Sequence, residues 1–432
     1  MRTTDEADSP RLQWVCCQLG AREHYAIPRA LFRIGMLGAF VTDAWVPPLS
    51  LLAKCCGHTS KFAHRFHSEL CGTRVKAFNS SLVLFEMLAS ARNSAGWPKV
   101  LARNRWFQRK VVSFLRSQLR NGTWLRRSFT RPTLDSQPIL CSYSYTALEP
   151  FRYAKSRGWK TLLFQIDPGP EEERILAEET AREPELAAEW HPAPPEYWAF
   201  WREECKLADR IVVNSEWSRE GLIRGGVPNE KISVIPLAYE PATSSGRFTE
   251  PRAPRVYPDH FTADRPLRVL FLGLINLRKG IARLLEAARI LRDEPVEFWM
   301  VGPVEIANAS TNANGGRVKW FGAVTRNQAG GFYTNADLFI LPTLSDGFAI
   351  TQLEAQAHGL PIIASKNCGE VVENGVNGII LDEPSAACIA HALRDCIANP
   401  GCLDKLAPAT GLRDKFTIEA LANQLQRLGA SL

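Results

Sequence analysis

The sequence predicts an α/β protein made of two doubly wound domains, each with a parallel sheet covered by helices on both faces. Its 432 residues suffice for two large domains, and the apolar share of 45% excludes a disordered chain. Short apolar runs alternate with helical patterns in both halves, and strands that are apolar throughout are typical of parallel sheets buried on both faces. A proline-rich stretch separates the two halves, as expected of a linker between domains.

In the first half, five apolar segments are predicted to be strands: Trp14–Leu19, Ile139–Cys141, Thr161–Ile166, Arg210–Asn214 and Ser233–Pro236. A helix is predicted between the last two strands, over Ser215–Arg224, because Ser215 is a residue type that favours the N-cap. This order of strand, helix and strand is typical of parallel pairing.

The second half repeats the pattern. Its predicted strands are Arg268–Gly273, Glu297–Val301, Val318–Phe321, Leu338–Leu341 and Pro361–Ser365, and Ile281–Leu291 has the apolar spacing of a helix. The segment from Glu240 to Pro266 holds five prolines and has little apolar periodicity. We therefore expect an N-terminal domain over residues 1–240, a linker over 241–266 and a C-terminal domain over 267–432, with the last helix able to pack back on the first domain. The ligand site is expected in the cleft between the carboxyl ends of the two sheets.

Two loops of the second half carry the residue types of an anion site. After the strand that ends at Gly273, Arg278 and Lys279 open a helix, and basic side chains at a helix N-terminus suit a diphosphate. After the strand that ends near Leu341, Asp346 lies in a loop, and a helix that starts near Ile350 carries Glu354. Both carboxylates are expected to face one cleft at different depths.

The segment DGFAITQLEAQAHGLPIIA resembles the hallmark of the family 4 glycosyltransferases, retaining enzymes of the GT-B fold with two Rossmann-like domains. The resemblance places the family's sugar-facing Glu on Asp346, its ribose-binding Glu on Glu354 and its diphosphate-binding Lys on Lys279. The family also has an Arg at the position of Leu274, and Arg278 is expected to substitute for it. Ala349 stands where Gly is usual. Implied donor-binding residues are Gly273, Gly347, Phe348, Ala349, Ile350, Thr351 and Glu354.

The resemblance implies transfer of a hexose from a nucleotide diphosphate sugar to an acceptor hydroxyl, with retention at the anomeric carbon. Asp346, Lys279 and Arg278 would be the catalytic residues, and no metal and no cofactor besides the donor would be needed. The acceptor would be a glycan, a lipid-linked molecule or a small molecule. Two other classes stay open: a sugar-nucleotide epimerase of the same fold and a non-catalytic protein that binds sugar nucleotides.

The loop after the first strand is expected to line the acceptor side of the cleft, where relatives have a Gly-containing loop. Its candidate residues, which alternatively cap a helix or form a local ion pair, are Gly20, Arg22, Glu23 and His24. The family's catalytic His has no counterpart, because Ser142, Tyr143 and Ser144 occupy the corresponding stretch. Asp167, after another strand, suits either a polar role in the cleft or a turn before Pro168.

The eleven cysteines, an odd number, and the polar N-terminus MRTTDEADSP predict reduced thiols in a cytoplasmic protein. The cluster Cys55–His67 lacks the spacing of a zinc site, and buried thiols with surface histidines are the preferred interpretation. No apolar run approaches the ~20 residues that a membrane span needs.

A basic segment lies over residues 87–134, where eleven Lys or Arg occur without one acid, although the rest of the chain is net −4. Phe107, Val111, Leu115 and Leu119 form an apolar stripe at helical spacing. The pattern suits a helix on an anionic membrane surface, at the inner membrane, or a helix docked on its own domain with a basic outer face. Nucleic acid is the least favoured partner, because no recognition motif is present.

Overall fold

The computed structural model describes residues 13–48, 50, 65–120, 138–240, 255–307, 317–407 and 413–432. In these residues the chain forms two parallel sheets, one from strands between Trp14 and Val234 and one from strands between Leu267 and Ile380. The sheets lie on the two sides of the expected linker, of which residues 241–254 are outside the described part.

The N-terminal sheet has seven strands in the order β3-β2-β1-β4-β5-β6-β7, and every neighbouring pair is parallel. The strands are β1 Trp14–Gln18, β2 Leu37–Thr42, β3 Val75–Ala77, β4 Ile139–Tyr143, β5 Lys160–Phe164, β6 Arg210–Val213 and β7 Ile232–Val234. All five strands predicted in this half are confirmed. The sequence analysis missed β2 and β3, because Gly38 interrupts the first and the second has only three residues.

Helices cover both faces of this sheet. They are α1 Ala26–Arg33, α2 Asn79–Ala91, α3 Gly96–Arg120, α4 Leu148–Lys155, α5 Pro170–Arg182, α6 Pro195–Leu207 and α7 Glu216–Arg224. Ser215 caps α7, since its hydroxyl accepts a hydrogen bond from the backbone N–H of Ser218 at 3.1 Å. The predicted N-cap is therefore confirmed.

The C-terminal sheet has six parallel strands in the order β10-β9-β8-β11-β12-β13. They are β8 Leu267–Leu272, β9 Val296–Val301, β10 Val318–Gly322, β11 Leu338–Leu341, β12 Ile362–Ala364 and β13 Gly378–Ile380. The helices are α8 Ile281–Ile290, α9 Arg326–Asn335, α10 Thr351–Ala357, α11 Ala386–Ala398, α12 Gly401–Leu406 and α13 Ile418–Ala430. The expected doubly wound α/β class is confirmed in both halves.

The strand orders determine where ligands are expected. All strands of each sheet are parallel, but the order in which the chain adds them reverses between β1 and β4 in the first sheet and between β8 and β11 in the second. In open α/β sheets the crevice at such a switch point, beyond the carboxyl ends of the strands, is the usual ligand site. The loops after these four strands are therefore expected to form the ligand site.

The last helix, α13, packs on the N-terminal domain. Its apolar residues belong to the same buried cluster as Tyr25 and Ile27 of the first domain and Phe40 of β2. The residues that α13 contributes to this cluster are Ile418, Leu421, Ala422, Leu425 and Leu428. The chain thus passes between the domains a second time near its end.

The basic helix α3 docks on its own domain. Phe107, Val111 and Leu115 are fully buried in the core beneath the sheet, and Leu119 packs against the same cluster. The docked alternative for the apolar stripe is thus the one that the structure contains, and this stripe is not available to a membrane. Residues 121–134, the rest of the basic segment, are outside the described part. Within that part, no helix combines the length and the apolar character needed to cross a bilayer.

Candidate active site

The first element of the site is the loop after β8, which runs from Gly273 to a short 3₁₀ turn at Leu277–Lys279. The side chain of Asn276 caps this turn by accepting the backbone N–H of Lys279 at 3.2 Å. Gly280 follows with a φ of +74°, and a Cβ there would collide with the carbonyl oxygen of Pro342. The loop after β8 and the loop after β11 are thereby pressed together at the switch point.

The second element is the loop after β11, which holds Asp346 between two anchors. The Oδ1 atom of Asp346 accepts the backbone N–H of Phe348 at 3.2 Å, and its own N–H donates to the carbonyl of Asn367 at 2.9 Å. Gly347 lies so close to the N-terminal domain that a Cβ would collide with the carbonyl oxygen of Ile166. The acidic loop is therefore fixed at the boundary between the domains.

The three candidate catalytic residues converge. The Nζ of Lys279 forms an ion pair with Oδ2 of Asp346, and Nη1 of Arg278 lies 3.5 Å from the same oxygen. Arg278 also donates to the carbonyl of Ser345 at 2.9 Å, which fixes the direction of its guanidinium. Two cations and one carboxylate, all largely buried, thus meet at the carboxyl end of the sheet. Paired cations of this kind are suited to a doubly charged phosphate group.

The charge state of Lys279 reflects two opposed influences. Burial lowers its pKa, the adjacent Arg278 lowers it further, and together they bring it to about 7. The Asp346 carboxylate in direct contact favours the ammonium form. We take the ion pair to dominate, because it is the nearest charge, so that Lys279 is positive.

The donor-side residues after Asp346 form the entry to α10. Phe348 is buried and meets Phe416 edge to face at 6.0 Å, which anchors the loop. Ala349 has a φ of +62°, in the left-handed region that favours glycine, which explains why Gly is usual in the family at this place. Ile350 is the N-cap residue and Thr351 begins the helix, which has only seven residues.

Glu354 lies on α10 and faces α9. Its Oε2 accepts a hydrogen bond from the hydroxyl of Tyr333 at 2.8 Å, and burial raises the pKa of its carboxyl. Arg326, at the start of α9, is close enough to act on this carboxyl electrostatically. No hydrogen bond or ion pair joins Glu354 to Asp346 among the described residues, and their placement at different depths of one cleft stays a prediction.

On the N-terminal side, the loop after β1 is held by a buried acid. Asp43 accepts the backbone N–H of Gly20 at 3.0 Å and pairs with Arg65 at 2.9 Å and with Arg103 of the basic helix α3 at 3.3 Å. The side chain of Gln18 donates to the carbonyls of Gly20 and Arg22. The loop with the candidate acceptor residues is therefore tightly anchored.

The candidate acceptor residues form a left-handed turn before α1. Glu23, His24 and Tyr25 have φ values of 51°, 51° and 61°, and non-glycine residues in this region are strained. The hydroxyl of Tyr143, at the end of β4, donates to Glu23 at 3.1 Å, and burial raises the pKa of Glu23 to about 7. Arg326 of the C-terminal domain donates to Nδ1 of His24 at 2.8 Å, so this turn reaches across the cleft.

The other polar candidates of the first domain have structural partners or lie in the interior. Asp167 accepts the backbone N–H of Gly169 at 2.9 Å, which confirms its turn-forming role, and also the hydroxyl of Tyr145 at 2.6 Å. Ser142 and Ser144 are buried. Of the cluster Cys55–His67, residues up to 64 are outside the described part of the chain. Where residues are described, no group of three His, Cys, Asp or Glu is arranged to hold a metal ion.

Sequence analysis missed the residues that join the two domains at this site. Glu172 of α5 accepts a hydrogen bond from Ser345 at 3.1 Å, and Ser215 donates to the carbonyl of Gly347 at 2.6 Å. The indole of Trp217 also donates to Ser345, at 3.2 Å. The signal available in the sequence was the acidic run at Glu171–Glu173, next to the loop of Asp167.

The two loops of the candidate site lie in a segment that matches a known protein family. Residues 266–399, which include both loops of the candidate site, match the family model for glycosyl transferases group 1. The C-terminal domain belongs to the group 1 glycosyl transferases. The glycosyltransferase resemblance noted from the sequence is thereby confirmed at the level of group 1, and family 4 stays a prediction.

Full-length glycosyltransferases contain similar segments. The amylovoran biosynthesis glycosyltransferase AmsK of Erwinia amylovora is 28% identical over 198 residues, 42% of this chain and 46% of that protein. A relative from Campylobacter jejuni, named N,N'-diacetylbacillosaminyl-diphospho-undecaprenol alpha-1,3-N-acetylgalactosaminyltransferase, is 26% identical over 187 residues, 42% of this chain and 49% of that protein. The matched region spans about half the length of each of these relatives.

Among solved structures, HepE of Anabaena in complex with UDP is similar over 98% of this chain and 100% of its own, with a TM-score of 0.57 and 16% identity. At this identity the likeness concerns the fold. The GT-B arrangement expected of a group 1 glycosyl transferase, with two Rossmann-like domains, is confirmed.

Proposed function

We propose that the protein is a retaining glycosyltransferase that moves a hexose from a nucleotide diphosphate sugar to an acceptor hydroxyl. The observation that carries the proposal is the convergence of Lys279, Arg278 and Asp346 at the switch point of the group 1 domain. In this proposal the two cations bind the diphosphate, and Asp346, one methylene shorter than the Glu expected there, faces the sugar.

In the proposed reaction, the bond between the anomeric carbon and the phosphate oxygen breaks while a bond to the acceptor oxygen forms on the same face of the sugar. The proton of the acceptor hydroxyl passes to the leaving phosphate oxygen. Lys279 and Arg278 stabilise the negative charge that develops on the diphosphate, and preorganised charges of this kind supply a large part of catalysis. Glu354, fixed by Tyr333, binds the ribose.

The positive charge required by the leaving group comes from these two side chains. We therefore propose that transfer needs no metal ion and no cofactor. Addition of EDTA is expected to leave the initial rate within twofold of its value in magnesium-containing buffer. A loss of activity that Mg²⁺ restores would contradict this part of the proposal.

For the acceptor, we propose a glycan or a lipid-linked molecule. The support is the Campylobacter relative, whose name specifies an undecaprenol-linked substrate, and AmsK, which is named for biosynthesis of the polysaccharide amylovoran. The loop Gly20–His24 would line the acceptor side, because it lies across the cleft from the donor residues and contacts Arg326 through His24.

The proposal is tested by a thermal-shift panel of UDP, GDP and ADP, with UMP, GMP and AMP as the controls that lack a diphosphate. One diphosphate is expected to stabilise the protein more than its monophosphate. Sugar forms of that nucleotide are then incubated with acceptor extract, and NMR of the product determines whether the anomeric configuration is retained. A sugar nucleotide with altered stereochemistry would indicate an epimerase, and an unchanged donor would indicate a binding protein.

A further inference from the structure

Helix α5 of the N-terminal domain packs against the group 1 domain and places a carboxylate beside Arg278, one of the two proposed diphosphate-binding residues. Oε2 of Glu172 accepts the hydroxyl of Ser345 at 3.1 Å and lies 3.5 Å from Nη1 of Arg278. Arg278 therefore has an acid on each side, since Asp346 is also 3.5 Å from Nη1. One of these acids belongs to each domain.

This position conflicts with a bound diphosphate. A diphosphate held by Arg278 and Lys279 would bring negative charge close to Glu172, whose side chain is only 20% exposed. Like charges separated by a few ångströms in such a partly buried setting repel by enough to change affinity about tenfold or more. Binding therefore requires Glu172 to leave Arg278 or to take up a proton.

We infer that Glu172 is a positioning residue of the donor site, which holds Arg278 and competes with the donor diphosphate for it. This inference rests on the proposed function. Ser345 is the partner that remains to Glu172 once Arg278 turns to the phosphate. The donor thereby replaces one of the contacts between the two domains with its own contact.

The charged groups around Glu172 determine the expected pH dependence. Arg278, Lys279 and Asp346 face it from the group 1 domain, and Asp167 faces it from its own domain. Burial raises the pKa of Glu172 to about 7, although Arg278 opposes the shift. Well below pH 7 the carboxyl is neutral and offers no competition, whereas well above pH 7 it is charged and must leave Arg278 or take up a proton as diphosphate binds.

The matched comparison is Glu172→Gln, which removes the charge and keeps the shape. Using whichever of UDP, GDP or ADP binds the wild-type protein, titration calorimetry should show about tenfold tighter binding by the variant at pH 8.5 and nearly equal binding at pH 6. Buffers of different ionisation enthalpy should show less proton uptake by the variant at pH 8.

Two further variants separate charge from structure. Glu172→Asp keeps the charge and should keep the wild-type pH dependence. Glu179→Gln breaks another bridge between the domains on the same helix, to Arg283 at 2.6 Å, and should leave the affinity within twofold. Thermal unfolding of each variant verifies that it is folded.

The outcomes distinguish the inference from the proposed function. If no nucleoside diphosphate binds the wild-type protein, the proposed function fails. If one binds, and Glu172→Gln binds it equally well or more weakly at pH 8.5, the inference is wrong while the proposed function stands. Tightening in Glu179→Gln equal to that in Glu172→Gln would also overturn it, because loosening of the domains would then suffice.

Discussion

Lys279 and Asp346 form an ion pair that joins the loops after β8 and β11. Both side chains are largely buried, and Arg278 lies beside the same carboxylate. The pair holds an ammonium group and a carboxylate in fixed positions where the proposed mechanism needs charge. Charges fixed in this way stabilise a transition state without reorganising at the moment of reaction.

Lys279→Ala should lower the transfer rate strongly, because it removes one of the two cations next to the leaving diphosphate. The expected loss of transition-state stabilisation is about 2–4 kcal/mol, the scale of one preorganised donor in an active site. The measurement is kcat/KM with the donor found in the nucleotide panel. Arg289→Ala, an exposed cation near the end of α8, is the control. Activity of Lys279→Ala within threefold of wild type would remove Lys279 from the mechanism.

Asp346→Ala should abolish transfer and leave binding of the free nucleoside diphosphate intact or tighter, because the sugar-facing carboxylate is lost while Lys279 is released for the phosphate. Asp346→Glu should stay active, since Glu is the residue expected there from the family pattern. Rates and calorimetric affinities of both variants check this. Parallel loss of transfer and nucleotide binding in the alanine variant would mean that Asp346 only holds the loop.

Glu354→Gln should weaken nucleotide binding, because a neutral amide is a poorer acceptor for the ribose hydroxyls than a carboxylate. Tyr333→Phe keeps the ring and removes only the hydrogen bond to Glu354, so its effect on the dissociation constant should be smaller. Comparison with the free diphosphate group, using inorganic pyrophosphate, separates ribose binding from phosphate binding. An unchanged nucleotide affinity in Glu354→Gln would leave Glu354 a structural role.

Ala349→Gly should stabilise the group 1 domain, because a left-handed non-glycine residue carries a strain of about 1–2 kcal/mol. The greater freedom of glycine in the unfolded chain offsets part of this gain, so we expect a net increase in the free energy of unfolding of about 0.5–1 kcal/mol. Ala355→Gly, in the regular part of α10, should have the opposite sign. Thermal unfolding measures both, and destabilisation by Ala349→Gly would contradict the strain argument.

Peripheral binding to an anionic membrane remains a prediction, with exposed residues of α2 in place of the buried stripe of α3 as the surface that contacts lipid. Leu84, Met87 and Leu88 are exposed at helical spacing on α2, and Arg92 follows them. Each basic residue near an anionic leaflet contributes about 1 kcal/mol, and added salt screens this attraction. Sedimentation with anionic vesicles should therefore exceed that with neutral vesicles and decrease in high salt.

The variant for this prediction replaces Leu84, Met87 and Leu88 with Ser and should abolish sedimentation. Val256→Ser changes an even more exposed apolar residue elsewhere and should have no effect. Equal sedimentation with both vesicle types would mean that the basic face does not contact lipid.

The alternation of apolar strands and helices was sufficient to predict the fold class, and the loop motifs placed Lys279, Arg278 and Asp346 at one switch point. Contacts between the domains were beyond reach, because Glu172 and Ser345 are far apart in the chain and neither has a local pattern that pairs them. The left-handed turn at Glu23–Tyr25 was also unpredictable, since none of these residues is a glycine or asparagine. The apolar stripe of α3 could be recognised from its helical spacing. The surface on which it packs could not, because periodicity does not specify which face of the sheet the helix covers.

The packing of α13 on the first domain has a consequence for synthesis of the protein. Leu421 and Leu425 complete a core otherwise built from residues of the first domain. A ribosome makes them only after the whole second sheet, so the first domain keeps an open apolar face until α13 has been synthesised. Removal of the last helix would therefore be expected to expose the first domain to aggregation and to chaperones, although the deleted residues lie at the opposite end of the sequence.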